Sequence, residues 1–119
     1  MSFEVKKLVE PEHIRFTVGG NYSFDNLYEF IDLLHSAAES ERSDRLLVDC
    51  RKLIGSMTEA DRFRGGQRIA EVLGGRVRTA VVMPIGQVTK LGEITARNRG
   101  ADLLVTECID EAMAWLHQN

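Results

Sequence analysis

The residues Arg45-Leu46-Leu47-Val48-Asp49-Cys50 decide the fold class that this sequence predicts. Their apolar side chains form a nearly continuous run, whereas a strand with one solvated face alternates apolar and polar residues. A continuous run is typical of a central parallel strand that is covered on both faces. Similar runs recur at residues 77–83 and 103–105, so we expect a sheet whose buried residues include Leu46, Leu47, Val48, Val81, Val82, Leu103 and Leu104.

The residues before this strand predict a hairpin and a long helix. Residues 3–9 and 13–18 flank the segment Glu10-Pro11-Glu12, in which the proline suits the second position of a type I turn. Ser23 is well placed to cap the helix that follows, in which apolar residues recur at steps of three and four.

The residues after the central strand predict three more helices that alternate with strands. The second helix begins near Thr58, which stands three residues before Asp61 at the spacing of a capping box. The pair Gly65-Gly66 predicts a break or an irregular first turn in this helix, because glycine is a poor helix former. With further helices near residues 89–99 and 109–116, residues 1–119 predict a single α/β (α+β) domain. It has a mixed five-stranded sheet and four helices in the order ββαβαβαβα.

Composition indicates a folded domain and excludes several classes of protein. The chain has 119 residues, of which 44% are hydrophobic and 28% charged, unlike a disordered chain. A net charge of −3 lacks the basic excess of a dedicated nucleic-acid-binding protein. No secretory signal opens the sequence, and the longest uncharged run, residues 79–89, is too short to span a bilayer. We therefore expect a cytoplasmic, bacterial protein without a transmembrane segment, in which the two cysteines stay reduced.

No pattern of residues predicts catalysis, a cofactor or a metal site. Cys50 stands beside Arg51 and Lys52, but the loop that follows lacks the distal arginine of a cysteine enzyme that cradles an anion. We interpret Cys50 as a buried thiol at a strand end, and Asp49 as a capping or turn residue. None of the three histidines stands at metal-ligand spacing from another His or Cys; they are His13, His35 and His117.

Charge is unevenly distributed along the chain. Residues 42–99 carry 12 Lys and Arg against 6 Asp and Glu, and the remaining residues carry 3 against 12. Opposite charges on separate regions permit head-to-tail or self-complementary association, or an anionic partner on one side, and small modules commonly form two-fold pairs. The distribution therefore predicts a homodimer.

Between residues 19 and 116 the sequence resembles the SpoIIAA-like branch of the STAS (sulfate transporter and anti-sigma-factor antagonist) superfamily. The resemblance depends on the order and spacing of several motifs across nearly the whole chain. They are Ser23-Phe24-Asp25-Asn26-Leu27 at the start of a long helix, Leu46-Leu47-Val48-Asp49-Cys50-Arg51, Arg99-Gly100-Ala101-Asp102 before the last strand, and Glu111-Ala112-Met113-Ala114-Trp115-Leu116 near the end.

This resemblance implies a mixed sheet with packed helices and no enzyme activity. It also implies binding to a partner kinase or sigma-factor antagonist, controlled by phosphorylation of a Ser or Thr at the start of the second helix. The usual motif there is Asp-Ser-Ser-Gly or Asp-Ser-Thr-Gly, whereas this chain has Gly55-Ser56-Met57-Thr58-Glu59. We expect the loop with Ser56, Thr58 and Glu59 to be a partner surface in which the phosphoswitch motif is not retained.

Two functions of different classes follow as hypotheses. The first is a small, non-catalytic regulatory or protein-binding module. The alternative is a carrier of a small apolar or lipid ligand, because the SpoIIAA-like branch is related in fold to lipid-transfer domains of the CRAL-TRIO type. Its candidate ligand-binding residues are Phe24, Tyr28, Phe63 and Trp115. An enzyme that uses Cys50 or Asp49 is a third hypothesis, which no constellation of residues supports.

Overall fold

The five strands lie in the sheet in the order in which they occur in the chain. A computed structural model describes residues 3–118. The strands are β1 (Glu4–Val9), β2 (Ile14–Asn21), β3 (Arg45–Ile54), β4 (Arg78–Val82) and β5 (Asp102–Thr106). β1 is antiparallel to β2, and the remaining neighbours are parallel. The mixed five-stranded sheet predicted from the sequence is confirmed.

Four helices cover the two faces of the sheet unequally. They are α1 (Phe24–Glu41), α2 (Glu59–Val72), α3 (Leu91–Asn98) and α4 (Ile109–Leu116). Alternate residues of β3 face opposite sides, so that Leu46 and Val48 belong to the core with α1, whereas Leu47 packs with α4. None of the helices within residues 3–118 is long and apolar enough to cross a membrane.

The predicted strand core is buried at five of its seven positions. Leu46, Leu47, Val48, Val82 and Leu103 are buried. Leu104 is half-buried because β5 is an edge strand and only α4 packs on that face. Val81 is also half-buried, although β4 is an interior strand, because its side chain lines a cavity between the sheet and the helices.

The expected break at Gly65-Gly66 is wrong, because α2 runs without interruption through both glycines. Both are buried against neighbouring helices. A Cβ at Gly66 would lie 2.5 Å from the carbonyl oxygen of Gly92 in α3, which is closer than any real Cβ contact. Gly66 is therefore needed for the close approach of α2 to α3, at the cost of some helix propensity.

Adding one methyl group at each of these two glycines tests that explanation. Gly66→Ala is expected to lower the free energy of unfolding by about 2 kcal/mol, because the methyl group meets the backbone of α3. Gly65→Ala is the matched control, since its methyl group would meet only the end of the Leu27 side chain, at 3.3 Å. Its stability should be unchanged or higher, because alanine favours the helix. Equal losses in urea unfolding of the two variants would contradict the close-approach explanation.

Candidate functional site

Two loops meet at one edge of the sheet. Because β3 and β4 are parallel neighbours, their carboxyl ends lie at the same end of the sheet, and the segments that follow them start there. We call residues 54–59 and 83–90 the loop edge. Ile54 and Ile85 in these segments are 64% and 87% exposed, the largest values among the exposed large hydrophobic residues of the described chain. The loop edge therefore offers apolar side chains to solvent.

The start of α2 is capped as the sequence predicts. The hydroxyl oxygen of Thr58 accepts a hydrogen bond from the backbone N–H of Asp61 at 3.1 Å. The Asp61 carboxylate in turn accepts a hydrogen bond from the hydroxyl of Tyr22 at 2.9 Å. Burial and this hydrogen bond raise the pKa of Tyr22, so its hydroxyl stays protonated and continues to donate.

Arg62 joins the two segments of the loop edge. Its guanidinium donates to the carbonyl oxygen of Met57 at 2.8 Å and to that of Gln87 at 2.7 Å. The same side chain pairs with Glu59 at 3.2 Å, and Thr89 donates to that carboxylate at 2.9 Å. Because a guanidinium presents several donors in a fixed plane, these bonds hold the loops in one relative position.

A cavity of about 100 Å³ lies beneath the loop edge, between the sheet and helices α1–α3. Its walls are mainly aliphatic and aromatic side chains from both layers, such as Leu34, Val48 and Val105. Thr79 lines it too, and is 1% exposed. The hydroxyl of Thr79 has no hydrogen-bond partner among the described residues. An unpaired hydroxyl buried in apolar surroundings is energetically unfavourable.

Solved structures of other proteins share this architecture over nearly the whole chain. An anti-sigma factor antagonist from Mycobacterium paratuberculosis is 13% identical, with a TM-score of 0.66 and coverage of 98% of this chain and 96% of that one. SpoIIAA in its unphosphorylated form is 15% identical, with a TM-score of 0.53 and coverage of 94% and 93%. An uncharacterised DUF3478-family protein from Shewanella loihica, described as having a SpoIIAA-like fold, is 15% identical, with a TM-score of 0.57 and coverage of 96% and 93%.

This chain has a SpoIIAA-like fold. The fold expected from the sequence motifs is thereby confirmed. No protein-family model and no curated protein matches the sequence.

The SpoIIAA-like fold brings the predicted loop residues together, whereas of the four candidate ligand residues only Phe24 and Tyr28 are in ring contact, with centroids 5.6 Å apart. Ser56, Thr58 and Glu59 all lie exposed on the loop edge. The four candidate ligand residues lie outside the cavity, and an arginine guanidinium stacks on each ring at 4.8–5.4 Å. The pairs are Phe24 with Arg64, Tyr28 with Arg68, Trp115 with Arg78 and Phe63 with Arg99.

Cys50 and Asp49 lie inside β3 rather than at its end, because this strand continues to Ile54. Cys50 is buried, and burial raises the pKa of its thiol to about 12, so it is not a thiolate at neutral pH. Asp49 makes the local contact expected of a capping or turn residue, because its Oδ1 accepts a hydrogen bond from the backbone N–H of Arg51 at 3.1 Å. Its carboxylate accepts hydrogen bonds from the Arg51 guanidinium at 2.9 and 2.8 Å, and these bonds lower the pKa of Asp49.

His13 and His117 meet although 104 residues separate them. Their ring nitrogens Nδ1 and Nε2 are 3.2 Å apart, and Glu12 and Arg45 also lie near His117. Spacing along the sequence gave no sign of this pair, because one histidine follows β1 and the other follows α4. In the part of the chain that the structure describes, no group of three or more His, Cys, Asp or Glu residues could hold a metal ion.

Removing the hydroxyl at position 58 tests the helix cap. Thr58→Ala is expected to lower the free energy of unfolding by about 1 kcal/mol, because the Asp61 N–H loses its acceptor. Thr58→Ser keeps the hydroxyl and should unfold at the same urea concentration as the parent. An equal loss in the serine variant would show that the methyl group, and not the cap, contributes the stability.

The histidine pair predicts a loss of stability in mildly acidic solution. Burial, followed by the nearby His117, lowers the pKa of His13 in the folded protein; Glu10, Glu12 and Arg15 contribute smaller effects. The unfolded chain then binds the proton more readily, so the free energy of unfolding falls as the pH drops below about 6.5.

The measurement is urea unfolding between pH 7.5 and pH 5.5 with the His13→Gln variant beside the parent. The variant should lose part of the pH dependence, because residue 13 no longer titrates. His117→Gln is the companion variant, in which the pKa of His13 measured by NMR should rise. An unaltered pH dependence in His13→Gln would contradict the assignment.

Proposed function

We propose that this chain is a small, non-catalytic regulatory module that binds a partner protein through the loop edge. The observation that carries the proposal is the pair Ile54 and Ile85, two exposed isoleucines on adjacent segments that Arg62 holds together. The similarity of the fold to that of anti-sigma factor antagonists supports a regulatory role.

A fixed loop surface favours binding on physical grounds. Association orders mobile side chains and loops at a cost in conformational entropy, and a surface that is already ordered avoids part of it. Arg62 supplies that order, because its bonds to Met57 and Gln87 connect the two loops. Exposed isoleucines on such a surface then contribute apolar area that binding removes from water.

We propose that partner binding at this surface is not controlled by phosphorylation. The hydroxyl of Thr58 is the acceptor of the helix cap, so a phosphate there would have to replace a bond that already exists. Glu59 and Asp61 place two negative charges on the first turn, where they interact favourably with the helix dipole without modification. Ser56 is exposed but, like Thr58, stands outside the Asp-Ser-Ser-Gly pattern.

The absence of catalysis is also part of the proposal. The thiol of Cys50 is buried and protonated, and two arginines hold the carboxylate of Asp49. These environments support structural roles for the two side chains that the sequence singled out for chemistry.

A second copy of this chain is one candidate partner. The basic middle of the sequence meets its acidic ends within one molecule, as Arg68 pairs with Asp32 at 2.7 Å and Arg78 with Asp102 at 3.0 Å. These ion pairs neutralise, within one molecule, some of the charged residues from which we predicted a homodimer. A different protein at the loop edge is therefore the partner that we favour.

Charged substitutions at the loop edge test the proposal. Tagged parent protein, Ile54→Asp and Ile85→Asp are used to capture proteins from a lysate of the native host, and the captured proteins are quantified by mass spectrometry. The two variants should lose a specific partner about tenfold or more, because a carboxylate cannot enter an apolar contact without loss of solvation. Leu8→Asp is the matched control, since Leu8 is an exposed apolar residue on β1.

Three results would contradict the proposal. They are equal capture by parent and loop-edge variants, equal loss in Leu8→Asp, and stoichiometric phosphate on Ser56 or Thr58 whose removal changes capture. Sedimentation identifies self-association, because a homodimer built on the loop edge would become a 13.4 kDa species in Ile85→Asp.

A further inference from the structure

We propose that the cavity beneath the loop edge binds a small, mainly apolar molecule with a single hydroxyl or carbonyl group, which pairs with the hydroxyl of Thr79. Phenols and short alcohols belong to this chemical class. The cavity adjoins the partner surface proposed above, since Met57 and Gln87 of the loop edge line it, but the two proposals are tested separately and either can fail without the other.

The cavity has the size and lining of a site for such a molecule. Its volume is about 100 Å³, and apolar side chains from the sheet and from helices α1–α3 surround it. An engineered apolar cavity of about 150 Å³ in another protein stays dry and binds benzene. A single small ring or a short aliphatic chain therefore matches the space, whereas drug-sized ligands occupy pockets of about 300–1,000 Å³.

Thr79 provides a polar atom that nothing else in the structure explains. Its neighbours across the sheet are Leu46 on β3 and Leu103 on β5, neither of which has a polar side-chain atom. The residue is 1% exposed, and its hydroxyl has no hydrogen-bond partner among the described residues. Valine has nearly the same shape and is likewise favoured in strands, so a purely structural role would not require a hydroxyl at this position.

The charged residues in the cavity lining are already paired. Asp61 accepts from Tyr22, and Arg62 donates to two backbone carbonyls. Lys90 pairs with Glu93 at 3.1 Å and donates to the carbonyl of Val105, while Glu93 accepts from the backbone N–H of Val105 at 2.6 Å. A ligand is therefore expected to bond to Thr79 rather than to a charged group, which favours a neutral ligand with one polar atom.

Asp61, Gln87 and Lys90 also indicate how the ligand enters. All three line the cavity and lie on the first turn of α2 or in the segment after β4. Most of the other lining residues are apolar. Entry from the loop edge places the polar end of the cavity nearest to water and leaves Thr79 inside.

Phenol and toluene form a matched pair of probes, because they differ by a hydroxyl in place of a methyl group. Each is titrated into the full chain while NMR follows the methyl signals of Val81 and Val105, which line the cavity. Parent protein is expected to bind both probes. Replacing Thr79 by valine should shift the ratio of the two dissociation constants toward toluene by about tenfold, because the phenol hydroxyl loses its partner.

Two further variants control the measurement. Thr17→Val removes a threonine hydroxyl from β2 outside the cavity lining, and its ratio of dissociation constants should equal that of the parent. Val81→Ile adds a methyl group to the cavity wall and should weaken binding of both probes. Thr79→Val is expected to fold with a melting temperature no lower than that of the parent, because a buried, unpaired hydroxyl is removed.

The proposal is overturned if neither probe shifts the Val81 and Val105 signals up to its solubility limit. It is also overturned if Thr79→Val leaves the ratio of the two dissociation constants unchanged, or if Val81→Ile binds phenol as tightly as the parent does. The first result would show a cavity closed to ligands, the second a ligand that ignores Thr79, and the third a site elsewhere on the protein.

Discussion

The contact between α2 and α3 at Gly66 and Gly92 sets the geometry on which the rest of this face depends. A side chain at Gly66 would meet the carbonyl oxygen of Gly92 at 2.5 Å, and a side chain at Gly92 would meet that of Arg62 at 3.2 Å. Glycine on both helices lets their backbones approach closely. Arg62 lies one turn before Gly66, so the same approach brings its guanidinium within reach of the Gln87 carbonyl. The fixed loop edge is thus a consequence of the helix contact.

The sequence was sufficient to predict features that depend on local chemistry. The order of strands and helices followed from apolar runs and their periods, and the caps at Ser23 and Thr58 followed from residue type and position. The break at Gly65-Gly66 was wrong because helix propensity describes a residue without its tertiary neighbours. Glycine is favourable at position 66 because α3 lies too close to leave room for a side chain, and the sequence does not show where α3 lies.

Features that join distant segments were not predictable in this way. His13 and His117 are 104 residues apart, and Arg62 acts through backbone carbonyls, which have no signature in the sequence. The aromatic residues show the same limit. Their apolar character suggested ligand binding, but the fold places arginines on their rings, where cation–π contacts of about 0.5–1 kcal/mol are typical at exposed sites. These arginine–aromatic pairs could not be predicted from the sequence, because the two members of each pair come from different segments of the chain.

Glycine is unfavourable inside a helix, and an unpaired hydroxyl is unfavourable inside an apolar core. Gly66 and Thr79 differ in whether the rest of the chain compensates for this, and that difference distinguishes a packing requirement from a candidate binding site. Glycine inside α2 lowers helix propensity, but the packing against α3 that it permits compensates within the chain. Thr79 has no such compensation among the described residues, because its strand neighbours are leucines and its hydroxyl is unpaired. Local rules are most often broken where function requires it. An uncompensated polar group that lines an apolar cavity is therefore evidence for a ligand, whereas a compensated glycine is evidence only for close packing.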